Sequence, residues 1–274
     1  YKNLINFFNE LDVPFEKSNM SFSVSIKGTN IEYGGSGFST IFANKFNLFN
    51  FNFLKMIKEI ISFYNYAQTF DINEIKEETL GNYLERSKLS KYFIEYHIIP
   101  MVAAIWSMPF SKAKEMPLKL FIQFFVNHGL FKLKKRPQWY TVTNRSRTYV
   151  KKILEKISGE IFKNYKVNKV TRSDDNVRIS IGNEYLDYDH IILASHADQS
   201  LNLLDNPSSK EKEILGKFTY VSNIAFLHTD KNLMPKRKEA WSSWNSITKD
   251  NNTCVTYWLN KLQNLKTDVD YFLT

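Results

Sequence analysis

The chain has 274 residues, 43% of them hydrophobic and 15% aromatic, which is enough to bury a core and too apolar for a disordered segment. Its single cysteine, Cys254, excludes a disulfide framework and every multi-cysteine zinc or iron–sulfur site, and fits a reducing compartment. The net charge of +9 is concentrated: residues 130–172 carry 13 Lys or Arg against Glu155 and Glu160, +11 in all, so the remainder is slightly acidic. Such a run reads either as a solvated basic face or as a surface for an anionic cofactor, an acidic lipid or nucleic acid. The chain starts at Tyr1, nothing there resembles a signal peptide, and VDYFLT at the other end reads as a strand stopped midway. The expectation is an internal part of a longer, cytoplasmic protein.

In chain order, LINFFNELDV predicts an amphipathic helix with Leu4, Ile5, Phe8 and Leu11 on its apolar face. SFSVSIKGTNIEYGG alternates as a hairpin, with Phe22, Val24 and Ile26 on one face and residues 27–30 in the turn. The GGSG at 34–37 lacks the GxxxxGK[ST] spacing, and Thr40 stands where GxGxxG needs its last glycine; it predicts a turn, not a phosphate loop. From about 46 to 127 the pattern is helical and rich in Phe, Ile, Leu and Met, as for a layer that shapes an apolar cavity. The most apolar run, YHIIPMVAAIWSMPF at 96–110, holds His97 and two prolines and falls short of the ~20 residues of a spanning helix. It predicts a buried segment.

The stretch RPQWYTVTNRSRTYV at 136–150 predicts strand, turn and helix, with Asn144 or Ser146 as the helix N-cap. The first turn of a helix presents unpaired N–H groups, so this bend either only connects two elements or also holds a cofactor. After a helix near 147–159, NYKVNKVTRSD, NVRISIG and EYLDYDHIILAS predict three short strands separated by turns at 173–176 and 182–183. The uniformly apolar IILA is the pattern of a strand buried on both faces of an α/β sheet. From Tyr220 onward, YVSNIAFLHTD, AWSSWNSI and CVTYWLNKL read as antiparallel strands.

Little in the sequence carries catalytic chemistry by itself. The five histidines (His97, His128, His190, His196 and His228) form no HExxH or His-x-His pair and have no carboxylate cluster, so no metal site is expected. Ser195, His196 and Asp198 hint at a hydrolase, but adjacent strand residues point to opposite faces and no GxSxG elbow is present. The aromatic and basic mixture at 131–149 lacks a recognisable nucleic-acid module, and nucleic acid is not expected as a partner.

Taken together, PMVAAIWSMP, FFVNHGLFKLKKRPQWYTV, LASHADQSLNLL, FLHTDKNLMPKRKEAWSSWN and CVTYWLNKLQNL resemble the bacterial predicted NAD/FAD-binding proteins of the flavin-containing amine oxidoreductase superfamily. That superfamily includes monoamine oxidases, protoporphyrinogen oxidase and carotenoid desaturases, and the resemblance runs over essentially the whole chain. It implies a mixed α/β, two-domain fold with a discontinuous FAD-binding domain. Residues 1–140 would be a substrate domain of hairpin and helices, 141–200 part of the FAD domain, and 201–274 the substrate-domain sheet. It implies FAD as cofactor, although the family's opening GxGxxG does not occur here, and its C-terminal flavin segment is expected beyond Thr274.

Residue by residue, Val167 matches the valine whose backbone meets the adenine part of FAD. Ala194, Ser195 and His196 match the segment that ends a strand near the cofactor. After RPQW the family carries Gly-Gly-Ser, and Asn144, Arg145 and Ser146 stand there, a departure from the glycines' conformational freedom. Met101, Trp106, His128 and Trp139 are candidate pocket residues, and no catalytic acid or base is assigned. The expected activity is flavin-dependent removal of hydride from a hydrophobic substrate, a lipid or acyl chain presented at an anionic membrane surface. An amine oxidase acting on a C–N bond, and a non-catalytic module using the basic 130–172 face, are the alternatives.

Overall fold

The computed structural model describes residues 1–75, 77–249 and 252–274. They form two compact units, Tyr1–Ile153 with Ala225–Thr274, and Leu154–Ile224.

The larger unit opens with α1 (Lys2–Glu10) and β1 (Phe15–Ser18), followed by the predicted hairpin of β2 (Phe22–Ile26) and β3 (Glu32–Gly34). GGSG is the turn from β3 into α2 (Phe38–Ile41), held by the Thr40 hydroxyl between the Gly34 and Gly37 carbonyls. The helical layer follows as α3 (Phe51–Ala67), α4 (Leu80–Arg86), α5 (Lys91–Phe93), α6 (Ile99–Trp106), α7 (Phe110–Glu115) and α8 (Leu118–Asn127). In α3, Phe53, Met56, Ile60, Phe63, Tyr64 and Ala67 are buried, the three-to-four-residue spacing of one helix face. Asn50 caps it by accepting the Phe53 amide. This face and Phe93, Phe121, Phe125 and Phe131 pack on Val24, Ile26 and Tyr33 of the sheet to form the main core.

The sheet is completed by β8 (Leu227–His228), β9 (Trp244–Lys249), β10 (Asn252–Trp258) and, after α12 (Leu259–Leu262), β11 (Phe272–Leu273). Its order is β3-β2-β9-β10-β11-β8, and the β2–β9 pair is parallel, from Phe22 opposite Trp244 to Ile26 opposite Thr248. The strands after Tyr220 pair antiparallel with one another as expected, but the sheet as a whole is mixed: β2 and β9 are more than 200 residues apart in sequence, so no hairpin constrains their direction. Of YVSNIAFLHTD, only Leu227–His228 is strand.

Two buried polar clusters sit in this unit. The Glu32 carboxylate accepts from the Lys236 and Arg237 amides at 2.7 and 3.0 Å, from the Arg237 guanidinium at 3.0 Å and from the Ser25 hydroxyl at 3.1 Å. His97 lies in a π-helical turn, Ile94–Ile98, between two tyrosines. The Tyr33 hydroxyl donates to the Tyr96 carbonyl, so it receives the His97 Nδ1–H at 3.0 Å, while Nε2 receives the Tyr64 hydroxyl at 2.9 Å. Both nitrogens of a neutral ring are thus satisfied. Burial, with a smaller contribution from Arg136, pushes its pKa down to about 3, and burial raises both tyrosines.

The smaller unit is a meander of β5 (Lys169–Arg172), β6 (Val177–Ile181) and β7 (Glu184–Tyr188), with α10 (Ala197–Leu203) and α11 (Ser209–Leu215). Ser208 and Glu211 form a capping box on α11, and Arg172 pairs with Glu211 through both guanidinium arms. The expected IILA strand is corrected here. Residues 190–196 pair with no strand among the described residues, and Ile192 is 92% exposed. An apolar run becomes a buried strand only where neighbouring strands bind both its edges and other elements cover both its faces.

Candidate functional site

The sequence RPQWYTVTNRSRTYV folds as predicted. β4 (Trp139–Val142) pairs antiparallel with β1, Trp139 opposite Ser18 and Val142 opposite Phe15. A tight turn then leads into α9 (Ser146–Lys156). Asn144 and Arg145 both hold positive φ, 60° and 76°. That is the left-handed region where glycine is unstrained, so the turn keeps the path of a Gly-Gly pair without the glycines. α9 begins at Ser146, directly after the turn.

α1, β1, β4 and the start of α9 enclose a cleft of about 950 Å³. Phe8, Leu11 and Val13 form a small core beneath it, packed by Phe15, Val142, Tyr149 and Ile153. Phe8 stacks on Tyr149 at 5.5 Å, and Phe15 meets Tyr140 edge-on at 5.7 Å. Leu4 and Ile5, expected on the buried face of α1, are 45% and 41% exposed because they line the cleft instead of the core.

One wall is a stack of rings. His128 lies 4.0 Å from Phe124 and is almost parallel to Trp139 at 6.2 Å. The Phe124 carbonyl can only accept, so Nδ1 of His128 carries the proton and donates at 2.8 Å. In the neutral ring Nε2 then accepts the Tyr1 hydroxyl at 2.7 Å. Gly129 shapes the turn after His128: its φ is +64°, and a Cβ there would lie 2.9 Å from Pro137. Only glycine lets the RPQW segment close over NHGL in this way.

Of the expected site residues, the structure gathers His128, Trp139, Arg145 and Ser146 at the cleft, with Asn144 in the adjoining turn. Met101 and Trp106 stand apart from it. Met101 is core, 8% exposed and under the Tyr64 hydroxyl, and Trp106 packs on Phe124 and Phe125. Val167, Ala194, Ser195 and His196 belong to the smaller unit. There Val167 is half-buried before β5, Ser195 bonds Ser200 at 2.8 Å, and His196 stacks on Tyr220 at 4.2 Å. Sequence reasoning missed Phe8, Phe15, Tyr140 and Tyr149. The amphipathic pattern of α1 marked an apolar face without showing that part of it borders a cleft. No group of three or more metal-ligating side chains occurs among the described residues.

The strained turn makes a direct prediction. Holding a non-glycine residue in the left-handed region costs ~1–2 kcal/mol, and glycine's extra unfolded-state freedom offsets part of the gain from removing that strain. Arg145→Gly is therefore expected to raise stability by about 0.5–1 kcal/mol, read as a higher urea midpoint. A lower midpoint would mean that the arginine side chain holds the turn.

No family model matches the chain, and no curated protein matches it. Solved structures do, over nearly all of its length. A putrescine oxidase bound to putrescine matches with a TM-score of 0.61 at 12% identity, covering 99% of this chain and 61% of that one. A CLA-producing fatty acid isomerase from P. acnes matches with a TM-score of 0.61 at 11% identity, covering 100% and 62%. Cyclohexylamine oxidase from Brevibacterium oxydans IH-35A matches with a TM-score of 0.54 at 10% identity, covering 98% and 60%. This chain thus spans about three fifths of the length of the proteins it matches. Its fold is thus shared with these two oxidases and this isomerase.

Proposed function

We propose that the protein is an FAD-dependent oxidoreductase that removes hydride from a hydrophobic substrate, with a lipid or acyl chain as the preferred class. The observation that carries this reading is the apolar, aromatic-walled cleft, set in a chain whose fold is shared with oxidases over 99% of its length. Its volume of about 950 Å³ is at the upper end for small-molecule sites, which run about 300–1,000 Å³. An amine substrate is less well served. No Asp or Glu lines the cleft to pair with an ammonium group, and its lining includes Arg145 instead.

In this reading 1–140 and 201–274 carry the substrate-domain role and 141–200 part of the cofactor domain, bounds that come from the sequence and differ from those of the two compact units. The residues present fit the cofactor only in part. The 144–145 turn opens α9, an 11-residue helix whose first amides suit an anionic or carbonyl edge of a flavin. Among the described residues no glycine-rich strand–turn–helix cradles a pyrophosphate, and GGSG leads into a helix of four residues. Within the larger unit, Asn144, Arg145 and Ser146 would therefore touch the cofactor without holding its phosphates. When bound, the flavin supplies the hydride acceptor. The chain's own part is to bind the substrate on Trp139, His128 and the α1 face and to keep water from it. The exposed cations of residues 132–136 would draw the protein toward an anionic membrane. Among the described residues no helix is long and apolar enough to cross one.

The test is the visible absorption spectrum of the full-length protein, as isolated and after incubation with FAD. Flavin bands are expected. A colourless protein that takes up no added FAD overturns the reading.

A further inference from the structure

We infer that the cleft binds a long-chain monocarboxylate, with its carboxylate on the Arg145 guanidinium and its alkyl chain along α1, Phe15 and Tyr149. The inference deepens the proposed function by naming the head group of the substrate, and it rests on that reading only for calling the ligand a substrate.

Three observations carry it. The lining is mostly aliphatic and aromatic, with no Asp or Glu, and Arg145 is its single Lys or Arg. Glu16, which pairs with the lining residue Thr141, is not itself part of the lining. The Arg145 side chain makes no hydrogen bond or ion pair among the described residues, and its backbone is strained, at φ 76°. Arg145 thus borders the cleft with its charge unpaired. Finally, the local field favours an anion. Residues 130–154 hold eight Lys or Arg and no Asp or Glu, and α9 directs its N-terminal dipole at the same turn.

A lone guanidinium beside an apolar wall matches one planar carboxylate, which it can bind through two parallel N–H···O bonds. A phospholipid head group, larger and held at a bilayer surface, would engage the exposed lysines of residues 132–135 without entering the cleft. An alkylammonium would meet repulsion from Arg145.

Titration calorimetry of the full-length protein with dodecanoate, methyl dodecanoate and dodecylamine tests this. Dodecanoate is expected to bind ~10- to 100-fold more tightly than the ester or the amine, the range of a charge-assisted pair. Arg145→Gly should remove that advantage, bringing dodecanoate to the affinity of the ester, and Arg145→Lys should retain part of it. The expected rise in stability of Arg145→Gly separates lost binding from lost folding. Equal affinity for the three ligands, or dodecanoate binding indifferent to Arg145→Gly, overturns the inference. So does saturable binding to phosphatidylglycerol vesicles that depends on Arg145 while dodecanoate does not compete. The flavin spectrum of the same samples keeps the two readings apart. Arg145-dependent dodecanoate binding in a colourless protein sinks the oxidoreductase reading and keeps the site. A yellow protein blind to the carboxylate does the reverse.

Discussion

Replacing Glu32 by alanine is expected to destabilise the larger unit by about 3–5 kcal/mol, the usual range for removing one partner of a buried ion pair. The Glu32 side chain is 5% exposed and joins the hairpin strand β3 to the 236–237 segment, about 200 residues later in sequence. Without it, two backbone amides and the Arg237 guanidinium lose their acceptor in a place where water cannot replace it fully. Glu32→Gln keeps one carbonyl oxygen and should lose less. Urea unfolding followed by tryptophan fluorescence measures this selectively, because Trp106, Trp139, Trp241, Trp244 and Trp258 all lie in the larger unit. Trp241 is also a close reporter, since its indole N–H donates to the Pro235 carbonyl beside the clamp. A loss under 1 kcal/mol for Glu32→Ala would show that the segment is held by its packing instead.

Acid should weaken the same unit through His97. Its pKa is pushed down to about 3, chiefly by burial and secondarily by Arg136, whereas in the unfolded chain it titrates near its ordinary value of 6.5. Between those pH values the unfolded chain binds the proton and the folded one does not. The contribution is therefore whole above pH 6.5 and is lost as pH falls toward 3, at about 1.4 kcal/mol per pH unit. From pH 7 to pH 4 the loss from this one ring is about 3 kcal/mol. The hydrogen-bond pattern shows why: Nε2 is already committed to accepting the Tyr64 hydroxyl. Upon protonation that hydroxyl would have to turn, and its remaining neighbour is the weak acceptor Met101 Sδ at 3.8 Å. In His97→Gln, which is less stable at pH 7, the fall in stability between pH 7 and pH 4 should shrink by the same ~3 kcal/mol. Parallel pH profiles for the two proteins would refute this account.

Much of the local structure was legible in the sequence because local rules decide it. The apolar spacing of α3, the alternation of the β2–β3 hairpin and the strand–turn–helix at 136–150 each follow from side-chain periodicity and turn chemistry. The GGSG turn was legible for the same reason, since its glycine spacing excludes a phosphate loop. The parallel β2–β9 pair was not legible, because strand direction across two hundred residues depends on the whole layer and on no local signal. Nor was the lack of strand pairing at residues 190–196, since an apolar run shows what a strand needs but not whether neighbours are there to meet it.

The candidate site divides in the same way. The sequence, read with the family resemblance, marked His128, Trp139, Arg145 and Ser146, and it flagged Asn144-Arg145 as a break in an expected Gly-Gly pair. Only the tertiary structure showed that this pair keeps a left-handed turn, with φ of 60° and 76°. It likewise moved Met101 into the core and brought the α1 face, Phe15 and Tyr149 to the same cleft as His128 and Arg145. The reason is physical. Periodicity records that a side chain must leave water, whereas whether it meets a packed core or an open cleft is set by elements more than a hundred residues away.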